Sequence, residues 1–320
     1  MVSFNIVLSK KGLNNPELYI TARGWLTPSK RCQFSGNTLV EKDLNPNFIA
    51  KELNDIVVEE IEVASHDGEK IPLSLIHKKS LKKDGNTATM MDGYGSYGVS
   101  MVPFFSLRRL LWVMEGGVYA IAHVRGGGEK GDAWHKGGFK STKSNTWKDF
   151  ISCGEYLIDN KYTSANKLAI WSGSAGGIMI GNSITEKPDL FKAAIVEFGY
   201  MNPLRSDNWP NGANNVKEFG SVKDSIEFQS LKEMDAYYHI KKGEKYPATL
   251  LTAGLNDPRL PAWFSVKFAA KIQAYNNSKN PNLLLIDSES GHGTDDTKIK
   301  EYERYANILS FAFWQTGQPE

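Results

Sequence analysis

The chain has 320 residues, of which 41% are hydrophobic and 23% are charged, so it is long enough for one large domain or two modest ones. This composition excludes a disordered, collagen-like or coiled-coil protein. Lysine and arginine number 38 against 36 aspartate and glutamate, and the formal net charge of +2 therefore gives no reason to expect a nucleic acid or an acidic membrane as partner.

The opening residues contain no apolar run of signal-peptide length, and no other stretch reaches the ~18 apolar residues of a membrane helix. We therefore expect a soluble, cytoplasmic protein that does not bind a membrane. Cys32 and Cys153 are the two cysteines of the chain, and neither lies in a CxxC or Cys/His cluster. Two free thiols are favoured over a disulfide or a zinc site.

Residues 1–55 predict two or three short antiparallel strands without a core of their own, at residues 5–8, 18–22 and 38–41. Next, strands at residues 57–64 and 71–77 flank an Asp-Gly pair, which is a strong hairpin signal. Short apolar runs then alternate with helix-like stretches. The runs lie at residues 87–91, 117–124, 167–171, 193–198, 248–253 and 283–287, and the helices notably at 146–160, 263–275 and 299–314. This alternation predicts an α/β fold, with a mainly parallel sheet covered by helices on both faces and chemistry at the carboxyl ends of its strands.

A serine on a glycine-rich turn lies between a strand-like run and a helix-like stretch, in residues 171–177. We interpret this segment as the G-x-S-x-G nucleophile elbow, in which a strained turn exposes the serine at the sheet edge. Ser174 is then the nucleophile, and the Ala175 amide at the helix N-terminus points to the place where an oxyanion forms. An ordinary tight turn is the alternative, but the correct flanking elements favour the catalytic interpretation.

A serine hydroxyl needs a general base, and the elbow predicts the chain order Ser, Asp or Glu, His. Two histidines, His239 and His292, follow Ser174. His292 is favoured because it lies in a glycine-flanked loop soon after a strand-like run, whereas His239 lies at a helix end. Asp257 follows the preceding strand-like run, so it is predicted to orient His292 and to stabilise its charged form.

Three other aspartates are weaker candidates for this acid. Asp287 is the main alternative to Asp257, although it ends a strand-like run only a few residues before the histidine. Asp189 and Asp295 are less well placed relative to the predicted strand ends.

Two further glycine-rich segments are similar to nucleotide-binding motifs. Residues 93–98 match G-x-G-x-x-G, with Glu115 near the place of a ribose-binding acid, and residues 125–129 follow another strand-like run. The first segment is followed by Pro103 rather than by a clean helix opening, and the second lacks the lysine-serine pair of a phosphate-binding loop. A dinucleotide site is therefore a minority interpretation, because it leaves the serine, the aspartate and the histidine unexplained.

Several motifs in one order, from about residue 57 to the C-terminus, resemble the prolyl oligopeptidase family of serine peptidases. They are GYGSYG at 93–98, RGGGEKGDAWHKGG at 125–138, GSAGG at 173–177, LNDPRLP at 255–261 and SGHG at 290–293. The resemblance implies an α/β-hydrolase catalytic domain in which Ser174, Asp257 and His292 match the triad. Such an enzyme needs neither a metal nor an organic cofactor.

The same resemblance implies two further site residues. Tyr94 matches the tyrosine whose hydroxyl shares the oxyanion hole with the amide of Ala175. Arg259 matches the arginine that binds a substrate carbonyl upstream of the scissile bond. The structural alternatives are a core-packed Tyr94 and a surface ion pair for Arg259.

The sequence departs from the family in its domain organisation. The family normally carries a β-propeller that covers the active site, whereas residues 1–55 resemble only its last blade and a linker, followed by the catalytic domain at 56–320. The face that a propeller would cover is then expected to be polar, to pair in a homo-oligomer or to aggregate.

The substrate pocket departs from the family as well. The position of the family's proline-stacking tryptophan corresponds to Asn215, and Trp209 lies near enough to substitute for it. Phe219 and Tyr97 still supply aromatic walls. We therefore expect an apolar pocket without a strict preference for proline.

The function predicted from these residues is that of a serine hydrolase. It would cleave peptides, among them proline-containing ones, or activated esters and amides, through an acyl-enzyme. A carboxylesterase acting on small acyl esters is the first alternative, because an uncovered site with a weakened proline pocket suits small esters. A catalytically silent remnant that binds without turnover is the second alternative.

Overall fold

The computed structural model describes residues 4–10, 18–35, 37–42, 51–293 and 297–317. The N-terminal part forms a four-stranded antiparallel sheet in sequential order, with strands β1 Phe4–Lys10, β2 Leu18–Gly24, β3 Lys30–Ser35 and β4 Thr38–Glu41. The expectation of two or three strands was wrong, because it missed β3. That strand has the sequence KRCQFS, which lacks β-branched residues, so its pairing with β2 and β4 rather than its own propensity accounts for it.

The second sheet has eight strands in the order β12-β11-β10-β9-β7-β8-β6-β5. Strand β6 pairs antiparallel with β5 and with β8, whereas β8, β7, β9, β10, β11 and β12 run parallel to one another. The strands are β5 Ile56–Ala64, β6 Lys70–Lys78, β7 Thr89–Gly93, β8 Val118–Ala122, β9 Leu168–Gly173, β10 Ala193–Glu197, β11 Ala248–Gly254 and β12 Asn282–Asp287. The prediction of a mainly parallel sheet is confirmed.

Helices lie on both faces of this sheet. They are α1 Leu107–Met114, α2 Asp132–Lys136, α3 Ser144–Asp159, α4 Gly176–Glu186, α5 Gly212–Phe219, α6 Ser225–Met234, α7 Ala236–His239, α8 Trp263–Tyr275 and α9 Lys298–Thr316. The predicted helix-like stretches correspond to α3, α4, α8 and α9. Helices α1, α2, α5 and α6 were not predicted, since each is short and follows a polar or proline-containing loop, whereas α7 ends at His239, which was predicted to lie at a helix end.

Two hydrophobic cores are separated by the sheet, because successive side chains of a strand point to opposite faces. In β7, Met90 belongs to the core packed by α1 and α9, and Met91 to the core packed by α3, α4 and α8. Leu250 and Leu251 of β11 divide in the same way. Burial on both faces explains why these strands appear in the sequence as continuous apolar runs. The arrangement is that of an α/β hydrolase.

Trp25, just after β2, contacts the hydrolase part of the chain. Its side chain is buried, its ring centroid lies 6.4 Å from that of Phe104, and the guanidinium of Arg109 lies 5.2 Å from the ring.

The predicted division between residues 55 and 56 stays a prediction. Among the described residues, no helix is both long and apolar enough to cross a membrane. Cys32 and Cys153 are free thiols.

Candidate active site

Ser174 occupies the sharp turn between β9 and α4. Its φ is +54°, in the left-handed region that a residue with a side chain rarely adopts. Two backbone hydrogen bonds hold it there: the Ser174 amide donates to the carbonyl oxygen of Glu197 (2.8 Å), and its own carbonyl accepts from the Tyr200 amide (2.9 Å). The strained turn is therefore fixed by the end of β10 and the loop beyond it.

The motif differs from G-x-S-x-G at its first position, which corrects the sequence interpretation. Ser172, not a glycine, stands two residues before Ser174, and its hydroxyl donates to the carbonyl of Gly93 (2.6 Å). A Cβ atom at Gly176 would lie only 1.9 Å from Ser172 Oγ. A small side chain on the strand is thus accommodated because the helix contributes no side chain opposite it.

His292 connects Ser174 with Asp257. Its Nδ1 donates to Asp257 Oδ2 (2.6 Å), and its Nε2 lies 2.9 Å from Ser174 Oγ. The side chain of Asp257 is almost fully buried, and its Oδ1 accepts from the amides of Arg259 (2.8 Å) and Leu260 (2.9 Å). Since the carboxylate can only accept, Nδ1 carries the proton and Nε2 is left free to accept from the serine hydroxyl.

The alternative acid Asp287 makes different contacts. Its carboxylate accepts from the amides of Glu289 (2.8 Å) and Ser290 (2.9 Å) and from the Ser290 hydroxyl (2.7 Å), and the Ser290 bond lowers the pKa of Asp287 to about 2. Asp287 thus shapes the turn that leads to the histidine without contacting it. Asp189 lies in the short helical turn Pro188–Leu190, and Asp295 lies outside the described residues.

His239 ends α7, where its Nε2 donates to the carbonyl of Glu233 (2.8 Å).

The two glycine-rich segments lie beside the serine turn rather than at a separate nucleotide site: Gly93 accepts from Ser172, and Gly98 donates to the carbonyl of Gly126 (3.0 Å). In the described part of the chain, no group of three His, Cys, Asp or Glu side chains could hold a metal ion.

Tyr94 lies on the loop after β7 and contacts the serine. Burial raises the pKa of its phenol, and a hydrogen bond with Ser174 opposes that rise. The phenol therefore keeps its proton at neutral pH and can donate it in a hydrogen bond. Ala175, the residue after the serine, is buried at the N-terminus of α4. Tyr94 and Ala175 both line a cavity that opens beside Ser174.

A cavity of about 290 Å³ opens beside Ser174. Besides Ser174, polar, aromatic and aliphatic residues line it, namely Tyr94, Tyr97, Val99, Ala175, Tyr200, Asn211, Asn215, Arg259 and Leu260. The hydroxyl of Tyr97 donates to Oδ1 of Asn215 (2.6 Å), so these two side chains form a joined section of wall. The guanidinium of Arg259 is close enough to favour the ionised form of Tyr94 electrostatically.

Trp209 and Phe219, the other two predicted pocket residues, lie behind this wall. The Trp209 ring packs on Phe264 and Tyr200, at centroid distances of 4.8 and 5.9 Å. The Phe219 ring is fully buried and packs on Tyr97 (5.3 Å) and Tyr200 (5.2 Å). Both rings support residues that line the cavity. Tyr200 was not singled out by the sequence analysis, because no motif distinguishes it from a core tyrosine.

The model of the prolyl oligopeptidase family matches residues 103–319. The chain belongs to this family. Family membership accounts for the order of the motifs and for the α/β-hydrolase fold.

Several relatives within the prolyl oligopeptidase family cover nearly the whole chain. A prolyl endopeptidase of Elizabethkingia miricola is 35% identical over 94% of this chain and 43% of its own length. A dual function macrocyclase-peptidase of Amanita bisporigera is 32% identical over 94% of this chain and 42% of its own. The structure of oligopeptidase B from Leishmania major matches with a TM-score of 0.91 at 28% identity, covering 98% of this chain and 45% of that one. The chain thus spans less than half the length of these relatives.

Proposed function

We propose that this chain carries the catalytic site of a serine peptidase that works through an acyl-enzyme. The observation that carries the proposal is the continuous line of hydrogen bonds from Ser174 through His292 to Asp257. The strained backbone of Ser174 supports it, because a non-glycine residue held at positive φ is a feature of active sites.

Catalysis begins when Ser174 Oγ attacks the carbonyl carbon of the substrate. His292 Nε2 takes the hydroxyl proton as the Oγ–C bond forms, and the carbonyl oxygen becomes an oxyanion. In this proposal the Tyr94 hydroxyl and the Ala175 amide donate to that oxyanion, and one such donor contributes on the order of 3 kcal/mol. His292 then gives its proton to the leaving amine, and the C–N bond breaks.

Deacylation repeats these steps with water as the nucleophile. His292 takes a proton from water as it attacks the acyl-enzyme, and returns that proton to Ser174 Oγ as the ester bond breaks. Asp257 fixes the imidazole tautomer throughout, because both of its oxygens are already committed as acceptors, Oδ2 to the histidine and Oδ1 to two backbone amides.

We further propose that the substrates are peptides, including proline-containing ones. Two relatives of this chain are prolyl endopeptidases, and the cavity beside Ser174 is of a size to take one side chain. Its joined Tyr97–Asn215 wall is polar at its surface, which argues for a broader choice of side chain than proline alone. Arg259 lies on the cavity wall, and its role in this proposal is to bind a substrate carbonyl.

Turnover of two substrate classes tests this proposal. We expect a proline-containing peptide amide and a short-chain p-nitrophenyl ester both to be hydrolysed, and both activities to be lost in Ser174→Ala. Ester cleavage without any peptide cleavage would replace the peptidase by the carboxylesterase alternative. Peptide and ester turnover that persist in Ser174→Ala would overturn the assignment of the nucleophile.

A further inference from the structure

A lysine lies buried next to the candidate site without a role in the steps described above. Lys143 precedes α3, and its side chain is only 1% exposed. Within the described ranges it forms no ion pair with a carboxylate. A buried ammonium group without a carboxylate partner is costly, so it persists only where several hydrogen bonds replace its hydration.

The three acceptors of Lys143 Nζ are the carbonyl of Gly95, the Ser96 hydroxyl (2.8 Å) and the carbonyl of Gly138 (3.3 Å). Two of the three belong to the loop between Tyr94 and Tyr97, which are the tyrosines at the oxyanion position and on the cavity wall. Lys143 therefore ties this loop to the segment that precedes α3.

The backbone of this loop is strained at Tyr97, and a tie to a neighbouring segment helps to hold the strained conformation. Gly95, Tyr97 and Gly98 all have positive φ, at +65°, +59° and +63°, and for the tyrosine this conformation is unfavourable. A Cβ atom at Gly95 would lie 2.4 Å from a methyl group of Thr146. The loop is thus pressed tightly onto the N-terminal part of α3, where Lys143 also lies.

The other charged groups around Lys143 come from neighbouring elements. Glu218 of α5 accepts from the Tyr97 amide (2.7 Å) and pairs with His135 Nε2 of α2 (2.9 Å). The Arg125 guanidinium is engaged by Asp149 and Asp67. Burial lowers the pKa of Lys143 to about 7, and Glu218 opposes this fall.

We propose that Lys143 is a positioning residue that holds the 94–97 loop, so that the Tyr94 hydroxyl is kept on the oxyanion side of Ser174. The inference rests on the proposed function of Ser174 and Tyr94. An ammonium group has three N–H donors for its three acceptors, whereas the neutral amine has two. The loop is therefore held most firmly when Lys143 is protonated, and it loosens as the pH rises through about 7.

Kinetics of Lys143→Met test the catalytic side of the proposal. We expect kcat to fall by about 10 to 100-fold, because misplacing a catalytic group by about 1 Å can cost 10²-fold, with little change in KM. The control is Lys140→Met, which should retain wild-type kcat. Lys140 lies on the helical turn just before Lys143 and pairs with Glu227.

A double-mutant cycle with Tyr94→Phe shows whether Lys143 acts through the tyrosine. We expect Lys143→Met to have little further effect on kcat in the Tyr94→Phe background, because the donor that it positions is already absent. Independent, multiplicative effects of the two substitutions would overturn the proposal, as would a normal kcat in Lys143→Met.

Amide hydrogen exchange in residues 93–98 of the wild-type chain gives a readout that requires neither turnover nor a stable Lys143 variant. After correction for the intrinsic rate, protection should be greater at pH 6 than at pH 8.5. His135→Gln is the control and should keep this pH response. Equal protection at both pH values would contradict the proposal. If Ser174→Ala shows that the proposed function is wrong, this exchange experiment still decides whether Lys143 orders the loop.

Discussion

The carboxylate of Asp257 and the imidazole of His292 meet at 2.6 Å although 35 positions separate them in the chain. Their loops follow the adjacent parallel strands β11 and β12. A Cβ atom at Gly254, the last residue of β11, would lie 2.2 Å from the carbonyl oxygen of Gly291. The close approach of the two loops therefore depends on a glycine at the end of the strand.

Asp257→Asn is expected to reduce kcat by about 10⁴-fold, because the amide can stabilise the wrong imidazole tautomer. Asp287→Asn is the matched control: its carboxylate contacts the turn before the histidine but not the ring. Steady-state kinetics on one peptide substrate measure both. A near-normal rate for Asp257→Asn would transfer the role to another acid.

The central parallel strands could be predicted because they are buried on both faces and therefore mainly apolar, whereas the edge strand β12 is apolar although Leu283, Leu285 and Ile286 are exposed. The chain order of serine, acid and histidine was expected from the nucleophile elbow, and the shared carboxyl edge of the strands favoured candidates in loops that follow strand-like runs. β3 and the short helices α5 and α6 could not be predicted. Their positions depend on tertiary contacts such as that of Glu218 with the Tyr97 amide, which no local pattern encodes.

Tyr94→Phe should lower kcat by about 10² to 10³-fold with a small effect on KM. In the proposed mechanism the lost hydroxyl donates to an oxyanion that exists only along the reaction path. Kinetics with an amide and with an ester substrate measure the change. A large rise in KM with unchanged kcat would show that Tyr94 binds the ground state instead.

Gly176→Ala is expected to destabilise the fold by about 1–3 kcal/mol, the usual range for overpacking, because its methyl group would overlap the Ser172 hydroxyl. Adding Ser172→Gly should recover part of that loss. Free energies of unfolding for the two single variants and the double variant complete the cycle. Strictly additive effects would contradict the predicted steric contact.

The ion pair between Asp67 and Arg125 should make the free energy of unfolding depend on pH in the acid range. The hydrogen bonds from Arg125 lower the pKa of Asp67 to about 2, whereas an unfolded aspartate has a pKa of about 3.9. The stabilisation by the charged carboxylate is therefore complete above pH ~4 and is lost as the pH falls through about 2.

Urea unfolding of wild type and Asp67→Asn at several pH values measures this dependence. The difference in free energy of unfolding should be constant from about pH 5 to 8 and should shrink below pH 4. Substitution of the exposed Asp132 by Asn is the control. A difference between wild type and Asp67→Asn that stays the same down to pH 2 would show that the ion pair does not contribute.

Two of the four aromatic or amide residues predicted for the pocket line the cavity beside Ser174, and two do not. Asn215 and Tyr97 were predicted to line it, and they do form part of the cavity wall. Trp209 and Phe219 are aromatic and near in sequence, and they were predicted to line the pocket, yet they pack behind Tyr200. Composition and spacing cannot tell a lining ring from a supporting ring, since both are apolar and the difference depends on the path of the loop.

Covalent labelling by a fluorophosphonate, located by mass spectrometry of the digested chain, tests most directly whether Ser174 is an activated nucleophile. Assignment of Ser174 as the nucleophile predicts a single label on this residue, no label in Ser174→Ala, and much slower labelling in His292→Ala. A folded wild-type chain that takes no label, or a Ser174→Ala variant that is labelled as fast as wild type, would contradict it.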